Sequence, residues 1–146
     1  MKLEKKFEVK DGRLYKIGGD EVNMDGMAKT VKWSQVEPQD EMYDESFLAA
    51  LRDELKNLEA QKKCVYIDAI FDRNGNAGQF TAAMKHCARR IKDCASVAGF
   101  SIPPELAKDG GTEGNAAAMY QEELLQKHQQ YVFFCKETLA DCVKLQ

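Results

Sequence analysis

Cys64-Val65-Tyr66-Ile67-Asp68-Ala69-Ile70-Phe71 is an almost unbroken apolar run, interrupted only by Asp68. Runs of this length and character mark strands buried on both faces, as in parallel sheets covered by helices. Upstream of it, Phe47, Leu48, Leu51, Leu55 and Leu58 recur at helical spacing behind Asp44, a good N-cap. The spacing predicts a helix of about four turns with one buried stripe. Downstream, the polar turn Asp72-Arg73-Asn74-Gly75-Asn76 leads into a second stripe of Phe80, Met84, Cys87, Ile91 and Cys94.

The same alternation extends in both directions. Ser96 to Ile102 reads as a strand stopped by Pro103-Pro104, and residues 107–114 as a glycine-rich loop. A helix is expected from about Asn115 to Gln130, a strand over Tyr131–Cys135 and a short last helix from about Leu139 to Leu145. Toward the N-terminus, Thr30 to Val36 is β-branched and aromatic, which favours a strand carrying Trp33 and ended by Pro38. Val22 and Met24 suggest another short strand. Phe7–Lys10 and Leu14–Ile17 flank Asp11-Gly12, the pattern of a β-hairpin closed by a type I′ turn. Strand and helix in alternation call for right-handed crossovers. The expected fold is α/β, a mainly parallel sheet of about five strands with an N-terminal β-hairpin. A single domain over 1–146 is expected, with the hairpin in 1–19 and βα units in 20–146.

Composition narrows the function classes. With 146 residues, 44% hydrophobic and 31% charged, the chain suits a globular domain and is too short for a complete (β/α)8 barrel of about 250 residues. The formal net charge is -3, and the basic pairs Lys5-Lys6, Lys62-Lys63 and Arg89-Arg90 are short, which argues against a nucleic-acid partner. No apolar run has the length of a signal peptide core or a membrane span, so a cytoplasmic protein without membrane contact is expected. The five cysteines include no CxxC pair, so buried thiols are expected rather than disulfides or a metal site. Asp72 opens something like a calcium loop, but Ala77 and Ala83 stand where glycine and a bidentate acid are needed. No motif asks for a cofactor; a flavodoxin-like binder would suit the length but lacks a phosphate loop. Glu37 and Glu105 each follow a strand beside proline, where ligands of α/β sheets bind.

Val31-Lys32-Trp33-Ser34-Gln35-Val36-Glu37-Pro38, with Met42-Tyr43-Asp44 and Phe47-Leu48, resembles the second strand and helix of cellulase-type (β/α)8-barrel glycoside hydrolases. Val65–Asp68 is similar to their third strand, and Val97–Leu106 to their fourth, which ends in Asn-Glu-Pro. The hairpin resembles the β cap at the base of such barrels. The resemblance implies a partial TIM-barrel-like fold and a carbohydrate ligand, with Glu105 as acid/base and Trp33, Lys32, Glu37 and Asp68 as substrate-binding residues. Lys32 replaces the family's strand arginine, Ile70 its histidine, and Pro104-Glu105-Leu106 its Asn-Glu-Pro. The family's nucleophile belongs to a seventh strand that this sequence does not reach. A retaining glycosidase needs two carboxyl groups about 5–5.5 Å apart, and Glu137, just after the final strand, is the one carboxylate placed to act as the second partner. The expectation is a glycoside-hydrolase-like domain that binds carbohydrate or hydrolyses it weakly, incomplete as a catalyst. The alternative is a non-catalytic, oligomerising remnant. Half a barrel would leave on the order of 1,000 Å² of apolar surface wet, forgoing roughly 25 kcal/mol of burial. A covering helix or a second copy on the open sheet face is therefore expected.

Overall fold

A computed structural model describes residues 3–107, 116–137, 139 and 141–145. Strands β1 (Phe7–Lys10) and β2 (Arg13–Lys16) form the hairpin, with Asp11 and Gly12 both at positive φ as the turn requires. Five strands then make one parallel sheet in the order β3 (Ala28–Lys32), β4 (Val65–Ile70), β5 (Val97–Ser101), β6 (Val132–Cys135) and β7 (Cys142–Lys144). The helices are α1 (Trp33–Val36), α2 (Glu45–Ala60), α3 (Ala77–Arg90), α4 (Pro104–Ala107) and α5 (Ala116–Leu125).

The two long helices begin where their capping side chains allow. Asp44 accepts a hydrogen bond from the Phe47 amide, and Asn76 accepts one from the Gln79 amide. Their apolar stripes meet one face of the sheet. Leu48, Leu51, Leu55, Phe80, Met84 and Cys87 are all buried there against Val31, Ile67, Phe100 and Phe133.

Among the described residues no helix lies on the other sheet face. The N-terminal hairpin lies on it: Phe7 and Leu14 pack with Met27, Tyr66, Ala98, Val132, Phe134 and Val143. The turn of the hairpin is bonded to the sheet edge, Lys144 donating its amide to the Gly12 carbonyl at 2.8 Å. The hairpin, rather than a described helix, thus covers apolar surface of this sheet face.

Four expected elements differ. Trp33–Val36 is one turn of helix rather than strand, because the strand ends at Lys32 and the Gln35 side chain accepts from the Lys32 amide. Val22 and Met24 form no strand; the Asp25 amide closes a local turn on the Asn23 side chain. The helix expected to reach Gln130 ends at Leu125, and its proposed start, Asn115, lies outside the described residues. The last segment is strand β7, since pairing with β6 and the Gly12 carbonyl satisfies backbone groups that a one-turn helix would leave open. The glycine-rich loop lies, Ala107 apart, outside the described residues. One glycine is fixed by the sheet itself. A Cβ on Gly99 would sit 1.7 Å from the Val132 carbonyl oxygen, so only glycine permits that approach of β5 to β6.

Candidate functional site

Strand alternation sets the site. Ile67 and Ala69 point into the helix-side core, so Tyr66 and Asp68 face the hairpin. Tyr66 stacks on Phe134 at 4.4 Å between ring centroids. Asp68 is held by Ser101, at the end of the neighbouring strand: the Ser101 hydroxyl donates to Asp68 Oδ1 at 3.2 Å and accepts from the Ala69 amide at 2.8 Å.

Two cavities adjoin at Asp68. The larger, about 610 Å³, lies between the sheet and the hairpin and is lined by Arg13, Glu21, Asp25, Tyr66, Asp68 and Lys144, among others. The smaller, about 200 Å³, is walled by Ser101, Pro103, Pro104 and Glu105. Asp68, Lys136 and Leu145 line both. Glu105 reaches this place because Pro104 stops β5 and opens α4, whose first turn suits an acid. Buried Leu106 and Ala107 anchor that turn and leave the Glu105 side exposed. The cleft therefore joins two carboxylates and a lysine at the carboxyl ends of β4, β5 and β6, where ligands of α/β sheets bind. Apolar floor with a few converging polar groups is the usual make-up of a small-ligand site.

Trp33 and Glu37 lie together, but elsewhere. Trp33 Nε1 donates to Glu37 Oε1 at 2.6 Å, and the Glu41 amide donates to Glu37 Oε2 at 2.6 Å. Arg73 lies 3.3 Å from Glu37, 2.6 Å from Asp40, and over the Trp33 ring. Asp72 binds both the amide and the hydroxyl of Ser34. The Arg73 guanidinium and the Gln79 amide hold the Asp40 carboxyl below its ordinary range. With Trp33 wholly buried and Glu37 1% exposed, neither offers a surface to a sugar. They pin α1 and the loop after β4 to the helix-side core. Lys32 is exposed at the end of β3, opposite Ile70, and lines neither cavity. Glu137 lines a separate cavity with Asp11 and Asp141, away from Glu105. Of the residues singled out in the sequence, the structure brings together Asp68 and Glu105. Tyr66, Lys136 and Arg13 join them. The Tyr66–Asp68 alternation carries a signal for the first; nothing local signals the other two.

Other chemistries find little support. Burial pushes the Cys87 thiol up to about 12, Cys142 to about 12 and Cys94 to about 11, far from a reactive thiolate. His86 is engaged by the stack on Tyr43 and the bond to Glu45. Among the described residues, no three His, Cys, Asp or Glu side chains gather as a metal site requires. Nor is any described helix long and apolar enough to cross a membrane.

The architecture is α/β: a five-stranded parallel sheet with helices and an N-terminal hairpin, and among the described residues the sheet does not close into a barrel. In fold the chain is similar to a solved structure of a GH5_18 from Bifidobacterium longum subsp. infantis, with a TM-score of 0.55 and 11% identity. The likeness covers 74% of this chain and 33% of that one, so this chain spans about a third of that protein. At such identity the likeness concerns the fold. No protein-family model and no curated protein matches the sequence.

Proposed function

We propose that the protein binds a carbohydrate in the cleft between the sheet and its hairpin, with Asp68 and Glu105 the carboxylates that face the sugar. The observation that carries this is the juxtaposition of Asp68, Glu105 and Lys136 around cavities that meet at the carboxyl ends of the strands. Carboxylates and a lysine accept and donate hydrogen bonds to hydroxyls, and the Tyr66 ring gives an apolar floor. The glycoside-hydrolase-like fold supports a sugar as the ligand class. Glu105 is the acid/base for any hydrolysis, and Asp68 is a carboxylate beside it that binds the sugar's hydroxyls.

Calorimetric titration with neutral gluco-, manno- and xylo-oligosaccharides tests this. The expected outcome is binding of at least one series, weakened on the order of tenfold by Asp68→Asn. Glu105→Gln removes any accompanying hydrolysis. Absence of binding by every series, or binding indifferent to both substitutions, refutes the proposal.

A second reading, self-association, keeps one observation in its favour. Among the described residues no strand pairs with the outer edge of β3, and such edges invite pairing. Sedimentation decides it: a concentration-dependent dimer supports this reading, and a monomer at all concentrations removes it.

A further inference from the structure

Another cavity, sharing no lining residue with the sugar cleft, lies between the end of α3 and the segment that follows α5. It has a volume of about 370 Å³, and Lys85, Arg89, Lys92 and Lys127 line it together with His128 and Gln130. Lys85, Arg89 and Lys92 are spaced four and three apart, so α3 and the turn after it present them on one side. Gln130 is buried, and its amide donates to the Lys92 carbonyl at 3.4 Å, tying the two walls together.

The charge here runs against that of the chain, which is -3 overall. Glu123 neutralises part of it by approaching Lys85 at 3.3 Å. Arg89, Lys92 and Lys127 form no ion pair with any described residue. Basic residues at helix C-termini normally answer the helix dipole, and both α3 and α5 end here. Two such termini supply about one negative charge between them. Four cations less one carboxylate exceed that by about two charges, so the dipoles leave the cluster uncompensated. Convergent cations around a concave, tied-together pocket are costly unless an anion joins them.

We infer that this pocket binds a compact, multiply charged phosphate-type anion, held by Arg89, Lys92 and Lys127. Its size falls within the range of small-molecule sites. Arg89 supplies a planar fork suited to phosphate oxygens, and the lysines supply point charges. The site is separate from the sugar cleft, and its test does not depend on that reading.

Calorimetric titration with sodium triphosphate at low ionic strength is the test. Arg89→Ala/Lys127→Ala is compared with Lys16→Ala/Lys63→Ala, which removes the same charge from exposed positions elsewhere. The expected result is binding that the pocket pair weakens on the order of tenfold and the control pair by less than about twofold. Absence of triphosphate binding overturns the inference, as does equal weakening by both pairs. Binding of duplex RNA without triphosphate binding also overturns it, since that would mark a diffuse basic face. Arg89 and Lys127 are exposed, so melting curves of the variants are expected to overlay the parent and secure the comparison.

Discussion

The two faces of the sheet are built from the same strands but to different standards. The helix-side face is covered by α2, α3 and α5, and its aromatic centre joins Trp33, Phe71, Phe80 and Tyr120 through ring centroids 4.8 to 5.7 Å apart. The hairpin-side face carries a smaller apolar cluster and keeps a polar cleft of about 610 Å³. A two-stranded ribbon is marginal alone and cannot cover a five-stranded sheet. One face therefore carries most of the stability, and the other has room for a ligand.

Substitutions on each face should break or sharpen that contrast. Phe80→Ala removes a fully buried ring from the helix-side centre. It should cost about 3–5 kcal/mol in denaturant unfolding and lower stability globally. Glu37→Gln leaves Arg73, whose side chain is 17% exposed, short of its buried partner. Because Asp40 still holds Arg73, a loss of about 3 kcal/mol is expected, at the low end for a broken buried pair. Leu14→Ala on the hairpin should cost about 2–3 kcal/mol. Its signature should differ: hydrogen exchange should speed up in β1, β2 and β7 well before it does in α3. If Leu14→Ala instead exposed the whole sheet at once, the hairpin would be integral to the core and the contrast would fail.

The smallest expected effect is electrostatic and lies at the rim of the helix side. Arg90 first, and then His86, hold the Glu45 carboxyl down to about 2 from its ordinary 4.5. A lowered carboxylate stabilises the fold fully above its unfolded value and loses that contribution as pH falls through the folded one. The melting-temperature advantage of the parent over Glu45→Gln should therefore hold above pH 4.5 and shrink toward pH 2. Glu45 is about half exposed, so the advantage should be slight and weaken with salt. An advantage that grew on acidification would contradict the pairing.

What the sequence made legible follows from how local each signal is. The run over Val65–Ile70 and the stripes behind Asp44 and Asn76 are set by burial periodicity within one element, and they appear in the structure as β4, α2 and α3. Trp33–Val36 has strand-like residues but turns helical because the strand ends one residue earlier and Glu37 captures the indole. Cys142–Lys144 is too short for periodicity to speak; its pairing with β6 and Gly12 decides its state. The hairpin's place over the sheet depends on long-range packing, which no local pattern carries. The same limit applies to the site. Strand ends indicated Glu37 and Glu105 as neighbours of a ligand position, and the family resemblance added Asp68 and Trp33; Glu105 and Asp68 line the cleft, while Glu37 and Trp33 belong to the opposite face.

The contrast between the faces is tested most directly by backbone amide NMR during titration with an oligosaccharide that calorimetry shows to bind. Shifts concentrated at Tyr66, Asp68, Ser101, Glu105 and Lys136, with α2 and α3 unmoved, are the expected result. Shifts concentrated on the helix-side face, or spread evenly over the molecule, would contradict a carbohydrate site under the hairpin.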